Sequence, residues 1–479
     1  MREARTSDAV VVGSGPNGLA AAIVLARSGI RPVVFEGRAK LGGGMRTAEL
    51  TRPGFLHDVC SAIHPLVLGS PFLRGVPLAE HGLELIQPPL PLAHPFDDGS
   101  AALLRRSVDA TAQDLGVDAR AYRRLISPMV ASADHLMAGV LGPPRPPRHP
   151  LAIARFGRHA LRSASGLARA VFETERARAL FAGIAAHSML PLEAPASASF
   201  GLVLAVLAHA VGWPLARGGS QRIADALAAH LNELGGEIVT SHPVSSIEEL
   251  PRARAVLFDL TPRRLGAIAG TRLPASYRRR LSRYRYGPGV FKVDWALAEP
   301  IPWRAPEVSM AATVHLGGTL AEIAASERAV ARGEAPERPY VLLAQQSRFD
   351  PTRAPEGKHT AWAYCHLPNG SELDATERVE AQVERFAPGF RDCVIERHVM
   401  GPSALEGYNP NYVGGDINGG IQDLAQLFTR PVVRPNPYAT PAREIYICSS
   451  ATPPGGGVHG MCGYFAARTA LRRAFGAGK

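Results

Sequence analysis

Four apolar residues, Ala9-Val10-Val11-Val12, run unbroken into Gly13. Such a run predicts a strand buried on both faces, as in a parallel sheet. Leu19 to Ala26 is almost wholly apolar too, which predicts a helix buried against that sheet, with Gly29 as its C-terminal cap. Pro32-Val33-Val34-Phe35 predicts a second strand, ending at Glu36. The pattern returns further on. Ile223, Leu227 and Leu231 mark an amphipathic helix over 223–234, closed by Gly235-Gly236, and Ala255 to Leu260 reads as another buried strand. Glu444 to Cys448 predicts a last strand and Met461 to Phe475 a last helix, while 287–297 predicts a strand in the intervening chain.

The polar insert between the first strand and helix carries the chemistry. It reads Gly13-Ser14-Gly15-Pro16-Asn17-Gly18, with Glu36 eighteen residues after its last glycine. Gly13 permits a tight turn, Gly15 lets the backbone approach a pyrophosphate, and Gly18 lets helix and strand pack closely. The helix N-terminus offers free N–H groups and a positive dipole end, and the Glu36 carboxylate stands where a ribose is gripped. Strand, glycines, helix, strand and acid in this order predict a dinucleotide site.

The stretch Gly37-Arg38-Ala39-Lys40-Leu41-Gly42-Gly43-Gly44-Met45-Arg46 follows at once. Its glycines let the chain pass flush against a flat or anionic group, and Arg38 and Arg46 are placed to serve phosphate oxygens. A domain for NAD alone has no need of it. The C-terminal run Gly455-Gly456-Gly457-Val458-His459-Gly460 also satisfies GxGxxG, but only nineteen residues follow, too few for the second strand of another βαβ unit.

Together these segments resemble the phytoene desaturase-like and flavin amine oxidase superfamily, most of all its phytoene dehydrogenase-related, pyridine nucleotide-disulfide oxidoreductase domain 2-like subgroup. The resemblance covers the first 70 residues, roughly 213–300 and roughly 405–470. It implies FAD as cofactor and an α/β fold: a Rossmann-type FAD-binding domain (GR2-like) built from 1–70, 213–265 and 405–479, with an inserted α+β substrate-binding or cap domain from 71–212 and 266–404. Gly13, Ser14, Gly15, Pro16, Asn17, Gly18, Glu36, Gly37, Arg38, Gly43, Gly44, Met45 and Arg46 become the expected FAD contacts. The resemblance adds Val244 at the adenine, and Gly457, Val458 and His459 at the flavin.

Flavin accepts a hydride without a side-chain nucleophile, so the protein needs to hold the substrate and exclude water. His459 and Asp416, the latter between glycines in Gly414-Gly415-Asp416-Ile417, are the candidate catalytic groups; turn capping is the other reading of Asp416. His57, His64 and His187 are weaker candidates, and His57 or Cys60 could tether the flavin. No metal-ligand spacing is present. The expected activity is an FAD-dependent dehydrogenase or desaturase acting on an apolar, polyene or lipid-like molecule. The alternatives are an oxygen-using amine or alcohol oxidase, a redox-neutral isomerase and a non-catalytic FAD-binding membrane-associated factor. Four tryptophans, none in the C-terminal segment, offer no aromatic cage there for an amine.

Composition adds limits. With 479 residues, 46% hydrophobic and 20% charged, the chain can bury ample core. Its formal net charge of +11 favours acidic partners or an anionic membrane surface. Five cysteines without a CxxC or CxxxxC pair argue against a redox disulfide and suit a reducing cytoplasm. Residues 194–216 carry no Asp, Glu, Lys or Arg but contain prolines, so a buried helix beside an apolar cavity is preferred to a membrane span. Gly142 to Pro150 reads as an exposed connector. Arg155, Arg158, Arg162, Arg169 and Arg176 then share one helical stripe, either a basic helix resting peripherally on a membrane or a solvated face. The arginines of 278–285, interleaved with tyrosines, are not read as a nucleic-acid site.

Overall fold

A five-stranded, all-parallel sheet gathers strands from distant parts of the chain, in the order Ile445–Ile447, Ala255–Phe258, Ala9–Val12, Pro32–Phe35 and Glu237–Val239. The structure is a computed structural model and describes residues 7–476; the outermost ends of the expected FAD-binding domain, 1–6 and 477–479, lie outside the described residues. Alternation along the first strand explains its apolar run. Ala9 and Val11 face one core with Leu257 and Tyr446, while Val10 and Val12 face another with Phe258 and Ile447. Helices cover both faces, so no position could remain polar.

Helix Pro16–Ala26 is buried from Asn17 to Ala26 and packs against the C-terminal helix Met461–Ala474. Gly463 makes the approach feasible: a Cβ there would stand 1.9 Å from the Asn17 carbonyl oxygen. Helix Gln221–Glu233 packs on the same helix.

A seven-stranded sheet forms the second layer, in the order Val394–Met400, Gly289–Leu297, His359–Leu367, Val341–Ala344, Ala311–Leu316, Leu90–Pro95 and Ala101–Leu104. It is antiparallel except where Ala311–Leu316 meets Leu90–Pro95. One face holds Val293, Trp295, Leu343 and Ala363 against helix Thr376–Phe386. The other presents Thr313, His315, Leu342, Trp362 and Tyr364. Cross-strand register sets these side by side, with His315 opposite Leu342 and Leu342 opposite Tyr364.

Two sequence expectations change here and one holds. The arginine stripe of 155–176 does not lie on one helix. Ser163 and Thr174 cap new helices by accepting from the Gly166 and Ala177 N–H groups, so the chain forms Pro150–Ala160, Ala164–Val171 and Glu175–Ala185. As expected, the uncharged 194–216 stretch forms a largely buried helix, Ala198–Ala210, followed by the short strand Leu215–Ala216, and among the described residues no helix is long and apolar enough to cross a membrane. The strand read from Gly287 starts at Gly289.

Candidate active site

A cavity of about 660 Å³ opens where the first strand ends and continues to Thr313, Leu342, Trp362 and Tyr364 on the second sheet. Gly13, Ser14, Gly15, Pro16 and Asn17 line its near end. Gly13 has φ +102°, a conformation that a side chain would strain. A Cβ on Gly15 would fall 2.6 Å from Asp259 Oδ2, and one on Gly18 would fall 2.0 Å from the Gly13 carbonyl oxygen. The turn is therefore closed to any larger residue. Helix Pro16–Ala26 starts here: Pro16 has no N–H and Gly18 N donates to Asp259, so the Asn17 N–H and the positive end of the helix dipole are what this end of the cavity offers an anion.

Glu36 is 7% exposed and lines the same end. Its Oε2 accepts from Ser14 N (3.1 Å) and Ser14 Oγ (2.5 Å), and its Oε1 from Arg38 N (2.9 Å) and Arg46 Nη2 (3.0 Å). Both expected phosphate-binding guanidinium groups are thus engaged within the protein. Arg46 also donates to the Lys40 carbonyl, and Arg38 donates to the carbonyls of Gly407 and Tyr408. Gly37, Gly43, Gly44 and Val244 line the cavity as well.

The C-terminal glycine run arrives from the opposite side. Gly456, Gly457 and Val458 line the cavity, and Gly460 opens the final helix. Three expected contacts are not on the wall. Met45 is fully buried beneath it, and Gly18 donates its N–H to Asp259 Oδ2 at 2.9 Å. His459 is the third: it is 1% exposed, its Nδ1 accepts from Met461 N, and its Nε2 meets the Gly455 carbonyl at 3.2 Å. Burial lowers its pKa to about 4. Both nitrogens are committed, so His459 staples the glycine run instead of reaching a substrate.

Asp416 is also placed differently from its catalytic reading. It is fully buried beside a separate, much smaller void, and its oxygens accept from the N–H groups of Gly287 (2.8 Å), Asn418 (2.8 Å) and Gly420 (2.7 Å). It organises the 416–420 turn, the capping role that short acidic side chains take between glycines. His64 bonds Ser220 Oγ through Nε2, and His57 lies 3.6 Å from Asp294; of the two, only His64 touches the cavity. His187 does line it.

Several wall residues escaped the sequence reading. Asp259, just beyond strand Ala255–Phe258, has its pKa raised to about 7, mainly by burial and further by the Glu36 charge. Its position at the carboxyl end of a parallel strand was the available signal. Thr313, Leu342, Trp362 and Tyr364 come from three strands, and Trp213, Leu204 and Tyr412 from elsewhere. Trp362 and Tyr364 stack at 5.5 Å and 24°. These aromatic side chains come from strand His359–Leu367, and the C-terminal segment contributes no tryptophan, as the sequence reading had it.

Below the site, Arg353 is fully buried and pairs with Asp58 (3.0 Å) and Asp350 (2.9 Å). Asp58 also accepts from Thr47 and from Ser220 N, which joins the hairpin Thr47–Glu49/Leu56–Asp58 to the start of helix Gln221–Glu233 and, through Arg353, to the 350–353 turn. All five cysteines are free thiols, and Cys60 lines the cavity. His81, His230 and Glu233 converge on the surface, but Arg27 Nη2 stands 3.0 Å from His230 Nε2, so the trio reads as a hydrogen-bonded set.

A glycine cradle at the N-terminus of the first helix, joined to an aromatic chamber on a second sheet, gives the Rossmann-type dinucleotide-binding fold with a second, substrate-side sheet that the sequence resemblance implied. The profile of the NAD(P)-binding Rossmann-like domain family matches residues 11–70. The chain is 28% identical to pyridine nucleotide-disulfide oxidoreductase domain-containing protein 2 of Mus musculus, over 97% of this chain and 93% of the relative. In fold it is similar to an oxidoreductase from Methanosarcina mazei (TM-score 0.67, 16% identity, 97% of this chain and 99% of that one). It is similar in fold also to a variant of putrescine oxidase (TM-score 0.60, 18% identity, 98% of each chain).

Proposed function

We propose that the chain is an FAD-dependent dehydrogenase or desaturase acting on a largely apolar small molecule. The observation that carries this reading is the single cavity running from the glycine cradle at Gly13–Asn17 to a wall of Leu204, Trp213, Leu342, Trp362 and Tyr364. The residues present fit FAD. The cradle admits no side chain at Gly15, and Asn17 Oδ1 is buried beside it without a partner.

In this reading the first helix N-terminus holds the pyrophosphate, Glu36 takes the ribose and the backbone near Val244 meets the adenine. Gly456, Gly457 and Val458 approach the flavin ring. Bound FAD supplies the capacity to accept a hydride. The chain's own contribution is positioning: Trp362 and Tyr364 wall the chamber, exclude water and hold an apolar frame in place. With His459 and Asp416 committed elsewhere, no side-chain base is assigned. Oxidation of a primary amine is the second reading, favoured by the Trp362–Tyr364 stack. An anaerobic titration of the FAD-loaded protein with terpenes, long-chain alcohols and ketones, and primary amines tests both. Bleaching of the visible flavin band by an apolar non-amine is expected. Bleaching by amines alone would replace the first reading with the second.

A further inference from the structure

The apolar end of the cavity contains one polar arrangement that the proposed function leaves unused. His187 lies in the short turn Ala186–Ser188 after helix Glu175–Ala185, and its ring lines the cavity. Its Nε2 is 2.9 Å from Nε2 of His315, which is fully buried on strand Ala311–Leu316. The other His315 nitrogen, Nδ1, has no hydrogen-bond partner. It is pressed against Gly183, where a Cβ would stand only 2.8 Å away.

Burial keeps both rings neutral, with His187 lowered to about 3 and His315 well below its ordinary value. Two neutral imidazoles sharing one hydrogen bond have two proton arrangements. If His187 donates, His315 carries its proton on Nδ1, a buried N–H with nothing to accept it. If His315 donates, its Nδ1 is a bare acceptor, which is the less costly orphan. The second arrangement is therefore favoured, and the His187 proton sits on Nδ1, which makes no bond within the protein.

Thr313 lies two residues before His315 on the same sheet face and also lines the cavity. Its Oγ1 accepts from Trp213 Nε1 at 2.8 Å, which leaves its own hydroxyl proton free to donate. The wall carries two carboxylates, Glu36 and Asp259, and both are bonded into the glycine cradle at the other end.

We infer that His187 and Thr313 form a hydrogen-bond-donating subsite for a substrate bearing a neutral acceptor oxygen, a carbonyl or an alcohol, on an otherwise apolar frame. This rests on the reading of the cavity as a substrate chamber and narrows it. A protonated amine would meet the His187 donor and no carboxylate there, with only the second lone pair of Thr313 to accept from it. A plain hydrocarbon would leave both donors unpaired, at a cost.

The test uses the full chain, with and without added FAD, and two readouts. In ¹⁵N-histidine spectra the His187 signal, assigned by its loss in His187→Asn, is expected as the Nδ1-protonated tautomer. An Nε2-protonated His187 would overturn the inference. Affinities of octan-2-one, octane and octylammonium are then compared by ligand-observed NMR. Octan-2-one is expected to bind 3- to 10-fold more weakly to His187→Phe, with octane unchanged and with recovery in His187→Asn, which keeps a donor. Equal ketone affinity in all three proteins, or octylammonium binding tightest to the parent, would refute the subsite. Ketone selectivity in a chain that takes up no FAD would refute the cofactor reading and leave the subsite standing; an FAD-loaded chain without the selectivity would do the reverse.

Discussion

Replacing Asp259 by asparagine tests the electrostatics of the cradle. Asp259 Oδ2 accepts from Gly18 N at 2.9 Å, and its pKa stands at about 7 against an ordinary 3.8, chiefly because it is buried. Between these values the folded chain holds a proton that the unfolded chain has released. Each rise in pH across that window therefore favours unfolding. At about 1.4 kcal/mol per pKa unit the loss grows to about 4 kcal/mol above pH 7, and about 3 kcal/mol of it falls between pH 5 and 8.5. Unfolding entropy near 2 cal/mol/K per residue gives about 1 kcal/mol/K for a chain of 479 residues, so 3 kcal/mol corresponds to about 3 °C. Asp259→Asn keeps an oxygen for the Gly18 N–H and has no proton to lose. Thermal midpoints of parent and variant are compared from pH 5 to pH 8.5, where the buried histidines contribute equally to both. The variant is expected to gain about 3 °C on the parent across that range. A difference independent of pH would refute the argument. A pyrophosphate arriving beside Gly15 pushes Asp259 the same way, so FAD affinity of the parent should fall as pH rises through 7, and that of the variant should fall less.

Gly18→Ala would place a methyl 2.0 Å from the backbone carbonyl oxygen of Gly13, which cannot swing aside as a side chain would, and should cost at least about tenfold in FAD affinity measured by fluorescence titration. Arg353→Met would leave Asp58 and Asp350 buried without their cation, which should destabilise the chain by about 3–5 kcal/mol; a thermal midpoint several degrees lower checks it. His459→Gln should leave FAD affinity within about threefold, because the ring staples a loop and does not line the cavity; a larger loss in the same titration would return His459 to the site.

The Rossmann half was legible because its signals are local. The Val10–Val12 run, the 13–18 glycines and Glu36 each report on neighbours within one βαβ unit, and the glycine run at 455–457 reaches the same cavity. The substrate wall was not legible because it is made by register. Thr313, Leu342 and Trp362 lie on separate strands and are unremarkable until antiparallel pairing aligns them. His459 and Asp416 show the limit of reading glycine-flanked polar residues; the sequence had left turn capping of Asp416 open. Glycine-flanked polar residues suit ligand approach and turn stapling equally, and only the tally of their hydrogen bonds separates the two. The arginine stripe failed because the cap residues Ser163 and Thr174 break a period that the arginines alone appear to continue.

The most direct measurement of the central claim is the visible spectrum of the purified full chain, with isothermal titration of FAD and NAD⁺ into protein stripped of nucleotide. A flavin spectrum, release of FAD on acid precipitation and one FAD bound per chain in preference to NAD⁺ are expected. A colourless protein that takes up NAD⁺ and not FAD would contradict it.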